Sequence, residues 1–454
     1  MERADVAIVG GGPAGASAAR AAADAGADVV LVEKGVPRSD RDNLGPDSTD
    51  AAGILDYWVD IMDEDPSAIP EEVILSRLNG ATFHGPNESL TLTETGIEAS
   101  YDGFGFTVHR ARFDDWLRER AETAGADYRV GTSVTTVDSD LSGPSPTHDL
   151  TLANGNTLRV NSLVLAEGPQ RTVTLDTLDQ FLPERDSTAS YLSPDRANHI
   201  AYQEHRRMPP ELFDPDHIEF WWGVMPGHTA YPWIFPNDDN VARIGLTMPI
   251  GLDIDDVADR EAYALLDESD DAIPPGRVYI RRLLEREFPE YALEDFPIVE
   301  DRGKQNGTEA YPISSTRPIE SPTGANVAVV GGAMGATSAF HEGGDHVAIR
   351  TGKIAGRLAA EGDLDQYNAA WKNAIGDELR RNVTFAELVR GLQPSDWDRY
   401  FKVVNRMLRT DGSRKRQAVA AGLDGLGIYL RYRRERWSFR DDRYVQLQES
   451  NYLV

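Results

Sequence analysis

The sequence predicts an α/β chain in which a parallel-sheet domain is interrupted by a β-rich insertion and followed by a helical C-terminal region. Three observations carry that prediction. The first is the stretch 5–34, DVAIVGGGPAGASAARAAADAGADVVLVEK, where two short apolar runs flank a glycine-rich turn and an alanine-rich segment. The second is the return of the same strand-then-helix pattern near residue 110 and again near residue 327. The third is the strand-rich segment of about 191–299 between those returns, which is rich in aromatic residues.

Each element of the opening stretch has a physical reason. Val6 to Val9 reads as a buried strand, and Gly10-Gly11-Gly12-Pro13-Ala14-Gly15 follows at once. Gly10 allows the tight turn, Gly12 lets the backbone approach a pyrophosphate, and Gly15 lets helix and strand pack closely. Pro13 and Ala14 begin the helix, whose free N–H groups and partial positive charge face phosphates. Gly26 stops it, and Val29 to Val32 is a second buried strand ending at Glu33-Lys34. Glu33 is placed to accept hydrogen bonds from a ribose hydroxyl. An acid there disfavours a 2′-phosphate, so FAD or NAD fits better than NADP.

Further along, a polar loop covers 35–50 and a helix is expected over 51–63. Short strands over 72–108 read as a β-meander outside the nucleotide domain. The helix DDWLRERAETAG follows, then a strand near 128–137 and a hairpin over 150–165 turning at Asn154-Gly155. A buried strand over 326–330 leads into GGAMGATSAFHEGGDHVAIRTGKIAG, and the last 80 or so residues are helical with an Arg-rich end. No internal repeat or low-complexity tract is present.

Composition sets the boundaries. The 454 residues suffice for two or three domains. Asp+Glu number 75 against 46 Lys+Arg, a net charge of −29, and six of the basic residues are Lys. An acidic, Lys-poor surface on an otherwise ordinary composition fits a protein kept soluble at high salt, in haloarchaeal style, and argues against nucleic-acid binding. The absence of cysteine removes disulfides, thiolate catalysis and Cys-bound iron–sulfur clusters. The fingerprint starts almost at Met1, which leaves no room for a signal peptide, and no run of 18 apolar residues occurs, so a cytoplasmic location is expected.

Three further stretches are read with the opening one. They are Val108-His109-Arg110-Ala111-Arg112-Phe113-Asp114; Tyr231-Pro232-Trp233-Ile234-Phe235-Pro236 with Gly245 nine residues on; and Gly331-Gly332-Ala333-Met334-Gly335 with Gly343-Gly344 downstream. Together they resemble the geranylgeranyl reductase family of flavoproteins, within the wider group that includes p-hydroxybenzoate hydroxylase. The resemblance covers about 1–360. It implies a discontinuous Rossmann-like FAD-binding domain (1–70, 108–180 and 305–370), a substrate domain (71–107 and 181–304) and a helical region (371–454). It implies FAD at the opening fingerprint, Arg110 near the flavin and pyrophosphate, and Val134 beside the adenine. It puts Gly45 in the flavin-side loop, with Leu44 about where relatives carry Cys. Gly332 replaces the family's Asp and Asp345 its Ile, while Gly344 opens a helix toward the flavin. Glu167 likewise stands for an Asp. No acid follows Gly331–Gly335 at the spacing a second nucleotide site needs.

Tyr231, Trp233 and Phe235 alternate, so they share one strand face. The resemblance makes them, with Pro236 and Gly245, a wall of the substrate tunnel. Phe220 to Trp222 read as sheet core. The implied reaction is reduction of C=C bonds in prenyl chains of ether lipids or a menaquinone. The electron donor, ferredoxin or NAD(P)H, stays open, as does the proton donor. His341, Glu342 and His346 lie beside the helix start, where a proton donor is useful, but read first as surface residues. The segment 431–437, RYRRERW, reads as a solvated helix face or as a membrane contact presenting a lipid. A flavin monooxygenase, an electron-transfer flavoprotein and a degenerate paralogue binding FAD poorly are the alternatives.

Overall fold

The computed structural model describes residues 1–37, 52–303, 306–409 and 414–454, the side chains of 414–424 excepted. The chain begins with β1 (Glu2–Arg3), β2 (Val6–Val9), α1 (Pro13–Asp24) and β3 (Val29–Val32). Then come β4 (Gly53–Leu55), α2 (Asp56–Met62), β5 (Ile74–Leu78), β6 (Gly80–His84), β7 (Ser89–Leu92) and β8 (Gly105–Val108). Next are α3 (Arg110–Ala124), β9 (Asp127–Arg129), β10 (Val134–Asp140), β11 (Thr147–Leu152), β12 (Thr157–Val160) and β13 (Ser162–Leu165). They lead to α4 (Thr172–Asp179), α5 (Thr188–Tyr191), β14 (His199–Arg207), β15 (His217–Trp221), β16 (Tyr231–Pro236), β17 (Val241–Pro249) and α6 (Gly276–Glu287). The chain finishes with β18 (Thr308–Ile313), β19 (Val327–Val329), α7 (Asp345–Glu361), α8 (Tyr367–Val389), α9 (Pro394–Leu408) and α10 (Arg414–Ser438).

Residues of β2, β3, β13 and β19 are buried, as apolar runs covered on both faces should be. They form a parallel sheet in the order β19-β13-β2-β3-β9. Connections leave β2 in both directions, so its C-terminal end is a topological switch point, where ligands of open α/β sheets bind. Helix α7 packs on α1 through small residues. A Cβ on Gly352 would stand 2.1 Å from the Ala14 carbonyl oxygen, and one on Gly356 2.0 Å from that of Ala18, so only glycine permits this approach.

The second large sheet runs β18-β14-β17-β16-β15-β6-β7. One face is filled by Trp221, Ile234, Ile244 and Leu246 against Tyr279, Ile280, Leu283 and Leu284 of α6. The other carries Tyr231, Trp233 and Phe235 with Phe220 and Trp222, toward Phe340 and toward Trp397 and Phe401 of α9. Alternation along the strand thus sends neighbouring aromatics to opposite faces.

Several local expectations need correction. The helix expected over 51–63 starts at Asp56, because Gly53–Leu55 pairs with β8 as a strand. The expected meander is divided: β5 and β8 join β4 in a three-stranded sheet, while β6 and β7 join the large one. Of 71–107, therefore, not all belongs with the insertion. Phe106 and Val108 pack with Ala16 of α1 and Ile349 of α7. Conversely β18, placed with the nucleotide domain, pairs with β14. The hairpin's return strand is broken at Asn161: β12 stays with β11, and β13 enters the parallel sheet beside β2. Finally, the C-terminal region is not all helix. Tyr444, Val445, Leu447 and Tyr452 return to the core of the parallel domain.

Candidate active site

At the switch point the Gly-rich turn is held from behind. Gly10 has φ +102°, and a Cβ on Gly15 would lie 1.9 Å from the Gly10 carbonyl oxygen, so neither position admits a side chain. A Cβ on Gly12 would meet nothing within 4 Å, which leaves the approach to α1 clear. Pro13 occupies the first helical position, where its missing N–H costs nothing, and Ala14 follows, buried. The first turn of α1 carries no acid and no side-chain cap, so its positive end is not neutralised. The Glu33 carboxylate accepts from Gly11 N at 2.7 Å and Gly35 N at 2.6 Å. A carboxylate has lone pairs left for a further donor. Lys34 is exposed, and Gly45 lies outside the described residues.

Arg110 and Asp345, 235 residues apart, meet. Arg110 opens α3 with a buried side chain and donates to Asp114 Oδ1 at 2.8 Å and Asp345 Oδ2 at 3.2 Å. Gly344 is the N-cap of α7, with Asp345 in its first turn. This ion pair ties the heads of α3 and α7 together. Val134 starts β10 and is buried opposite Leu152, in the sheet formed by β1, β12, β11 and β10.

The turn holding Gly332 is braced by a residue that the sequence did not single out. Arg171 is wholly buried and donates to the carbonyl oxygens of Ala333 at 2.7 Å and Asp195 at 2.7 Å, and to that of Gly332 at 3.4 Å. Burial lowers its pKa to about 10. A Cβ on Gly332 would stand 3.3 Å from the Gly168 Cα, a tight approach between the loops after β13 and β19. Glu167 works locally: it accepts from Val173 N at 3.1 Å and Thr174 N at 2.6 Å, capping α4.

Trp233 lies directly opposite Gly245 across β16 and β17. A Cβ on Gly245 would come within 2.5 Å of the indole, so the glycine is what allows the ring to cross the strand. Gly53 does the same for Phe235, at 2.6 Å. Pro236 ends the strand, and its carbonyl oxygen accepts from Thr107 Oγ1 at 3.3 Å. The Tyr231 hydroxyl donates to the His341 carbonyl oxygen at 2.6 Å, which joins the aromatic face to the loop that precedes α7.

That loop departs most from its sequence reading. His341, Glu342 and His346 are not on the surface. His346 is 0 % exposed and stacks on Trp58 with ring centroids 4.0 Å apart; His341 stacks on the same indole at 5.2 Å. Burial lowers the pKa of His341 to about 3 and depresses that of His346 strongly, so both are neutral. The Glu342 side chain is 3 % exposed and bonds to the Thr247 hydroxyl through Oε2. Buried polar atoms without a hydrogen-bond partner gather here: Trp58 Nε1, His199 Nδ1, Trp233 Nε1, His341 Nε2, Glu342 Oε1 and both His346 nitrogens. Trp58, His199 and Thr247 carry no local signal. Tertiary packing alone brings them to residue 342.

Comparison with known proteins adds relatives. The model of the FAD dependent oxidoreductase family matches residues 5–150. A digeranylgeranylglycerophospholipid reductase of Methanosarcina acetivorans is 25% identical over 411 residues, 87% of this chain and 86% of its own. One from Methanothermobacter thermautotrophicus is 24% identical over 413 residues, covering 87% and 90%. The chain thus resembles digeranylgeranylglycerophospholipid reductases along most of its length. It is an FAD-dependent oxidoreductase. Its fold is shared with a geranylgeranyl bacteriochlorophyll reductase-like protein from Thermoplasma acidophilum, with a TM-score of 0.68, 20% identity and coverage of 96% and 100%. A myxobacterial chondrochloren halogenase described as FAD-dependent shares it too, with a TM-score of 0.57, 16% identity and coverage of 98% and 100%.

The flavoprotein's residues fit FAD. The clear approach over Gly12, the uncapped head of α1, the two-pronged Glu33 and the unpartnered polar atoms at the head of α7 are donors, acceptors and space that suit a dinucleotide.

Proposed function

We propose that this flavoprotein saturates carbon–carbon double bonds of polyprenyl chains, in geranylgeranyl ether lipids or a menaquinone side chain. The observation that carries the reading is the bond from Tyr231 to His341. Through it a face of Tyr231, Trp233 and Phe235 begins at the helix head where family resemblance puts the flavin. The sequence relatives named as digeranylgeranylglycerophospholipid reductases, matched along most of their length, support it.

In this reading Gly10, Gly12, Pro13, Ala14 and Gly15 with the head of α1 hold the pyrophosphate, and Glu33 takes a ribose hydroxyl. Arg110, paired with Asp345, fixes the head of α7, and Gly344 presents its amides to the flavin. Val134 and Gly332 line the two ends of the site. Bound there in its reduced form, FAD would supply the hydride. Tyr231, Trp233 and Phe235 supply apolar surface along which a prenyl chain lies, at about 0.8 kcal/mol per buried CH₂. Pro236 and Gly245 keep that surface flat. An isolated alkene accepts hydride poorly, so excluding water and aligning the bond are the chain's main contributions. Ferredoxin or NAD(P)H is the electron source, and the basic end of α10 is a contact for the membrane that holds the lipid.

The test is anaerobic photoreduction of the protein in high salt, followed by addition of unsaturated archaeal lipid. Return of the oxidised flavin spectrum, with two hydrogens gained per reduced bond in the lipid, is the expected result. Reoxidation by oxygen or quinone but not by lipid would replace this reading with a monooxygenase or electron-transfer role.

A further inference from the structure

The proton donor for this reduction is named by no relative and no motif, and the loop before α7 supplies a candidate. Glu342 occupies a left-handed backbone conformation, φ +59°, that a non-glycine residue adopts only when its surroundings hold it there. Its side chain is turned into the protein, 3 % exposed. Oε2 takes the Thr247 hydroxyl, whereas Oε1 has no hydrogen bond. Thr247 is the cross-strand partner of Tyr231, so the carboxyl group sits at the head of the aromatic face.

The groups facing this carboxyl set its charge. From β14 comes His199, with Nδ1 3.7 Å from Oε1; from β16 comes Tyr231; Thr229 and Thr247 contribute neutral hydroxyls. On its own loop His341 turns to Trp58, and Arg381 of α8, whose charge reaches His341 and His346, is paired with Glu378. Among the described residues no Lys or Arg forms an ion pair with Glu342. Burial accordingly raises its pKa to about 8, against the lowering effect of the two threonines, and holds His199 down at about 4. At neutral pH the pair is a carboxylic acid beside a neutral imidazole.

We infer that Glu342 delivers the proton to the substrate double bond and is recharged through His199. This rests on the reductase reading above. In the step the π bond breaks, one carbon takes the hydride, the other takes the carboxyl proton, and the O–H electron pair stays on the carboxylate. His199 Nδ1 then donates to Oε1 while Nε2, 3.3 Å from Thr229 Oγ1, takes up a proton from the Thr229 side, where His228 is exposed.

Three variants test it in the full-length protein. Glu342→Gln should keep its flavin and its FAD affinity, yet its photoreduced form should be reoxidised by unsaturated lipid about 10²-fold more slowly or worse. The wild-type rate should fall as pH rises through about 8, and the Gln variant should be flat. Infrared difference spectra should show a protonated carboxyl band in the wild type that titrates over the same range and is missing from Glu342→Gln. Thr247→Val, which keeps the acid but removes its hydrogen bond, should move that titration upward. His199→Phe should slow repeated turnover more than the first. A Gln variant as fast as the wild type, or a wild-type carboxyl already ionised at neutral pH, would overturn the proposal alone. A wild-type protein that lipid fails to reoxidise would overturn the reductase reading as well, while the infrared titration still reports on the buried acid.

Discussion

Single atoms decide the geometry of this site. Gly245 has no room for a methyl group: with the Trp233 indole 2.5 Å from the place of a Cβ, Gly245→Ala must push the ring off the strand. Overpacking of this kind costs about 1–3 kcal/mol. Chemical denaturation in high salt should show that loss, with the indole fluorescence shifted in the native state. Protonation gives a second residue-scale expectation. Glu342 has a raised folded-state pKa, from 4.5 to about 8. The unfolded chain ionises first, so the stability this group confers is complete below about 4.5 and is lost as pH rises to about 8. The slope is on the order of 1.4 kcal/mol per pH unit. Glu342→Gln should therefore gain on the wild type across that window and keep a constant lead above it. A difference independent of pH would contradict the buried acid. The neutral histidines act with the opposite sign. His148 and His199, lowered to about 4, and His341, lowered to about 3, confer stability above about 6.5 that is lost as pH falls.

At the scale of elements, α7 has two jobs. Its glycines seat it on α1, while its head meets Arg110, the aromatic face and Trp58. A shift of the helix would therefore move both the end proposed for the cofactor and the end proposed for the substrate. Helix α10 is built differently. Leu426, Tyr429, Leu430 and Trp437 are 51%, 53%, 56% and 63% exposed, and at this spacing they share a face with Arg433. Arg431 and Arg434 are exposed beside them, and Arg440 covers the Trp437 ring at 3.5 Å. Cations interleaved with apolar side chains, on a chain of net charge −29, complement an anionic lipid surface. The protein is expected to sediment with phosphatidylglycerol vesicles. The double variant Leu430→Ser, Trp437→Ser should lose most of that binding while retaining bound FAD. Equal sedimentation of both proteins would remove α10 as the contact.

For the whole molecule, charge is the dominant fact. Excess acid over base strains the compact state through self-repulsion, and salt relieves it because the Debye length falls to about 3 Å at 1 M. The melting temperature should rise steeply from 0.1 M to molar KCl, and bound flavin should be retained better at the high end. Among the described residues no helix is long and apolar enough to span a bilayer.

The sequence by itself determined the parallel domain, its glycine-rich turn, the family resemblance and the aromatic strand, because each is written in contiguous residues with a period or a spacing. Gly10 to Glu33 form one βαβ unit, and Tyr231, Trp233 and Phe235 alternate along one strand. Tertiary structure alone decided which sheet β5, β8 and β18 join, since a short apolar run pairs equally well with either, and that Arg171 braces the Gly332 turn. It also decided the state of the loop 341–346. His, Glu and Gly in an uninterrupted polar run read as surface. Only the closure of β16, β17 and Trp58 over that loop removes water from Glu342, and only the loss of water keeps its proton in place.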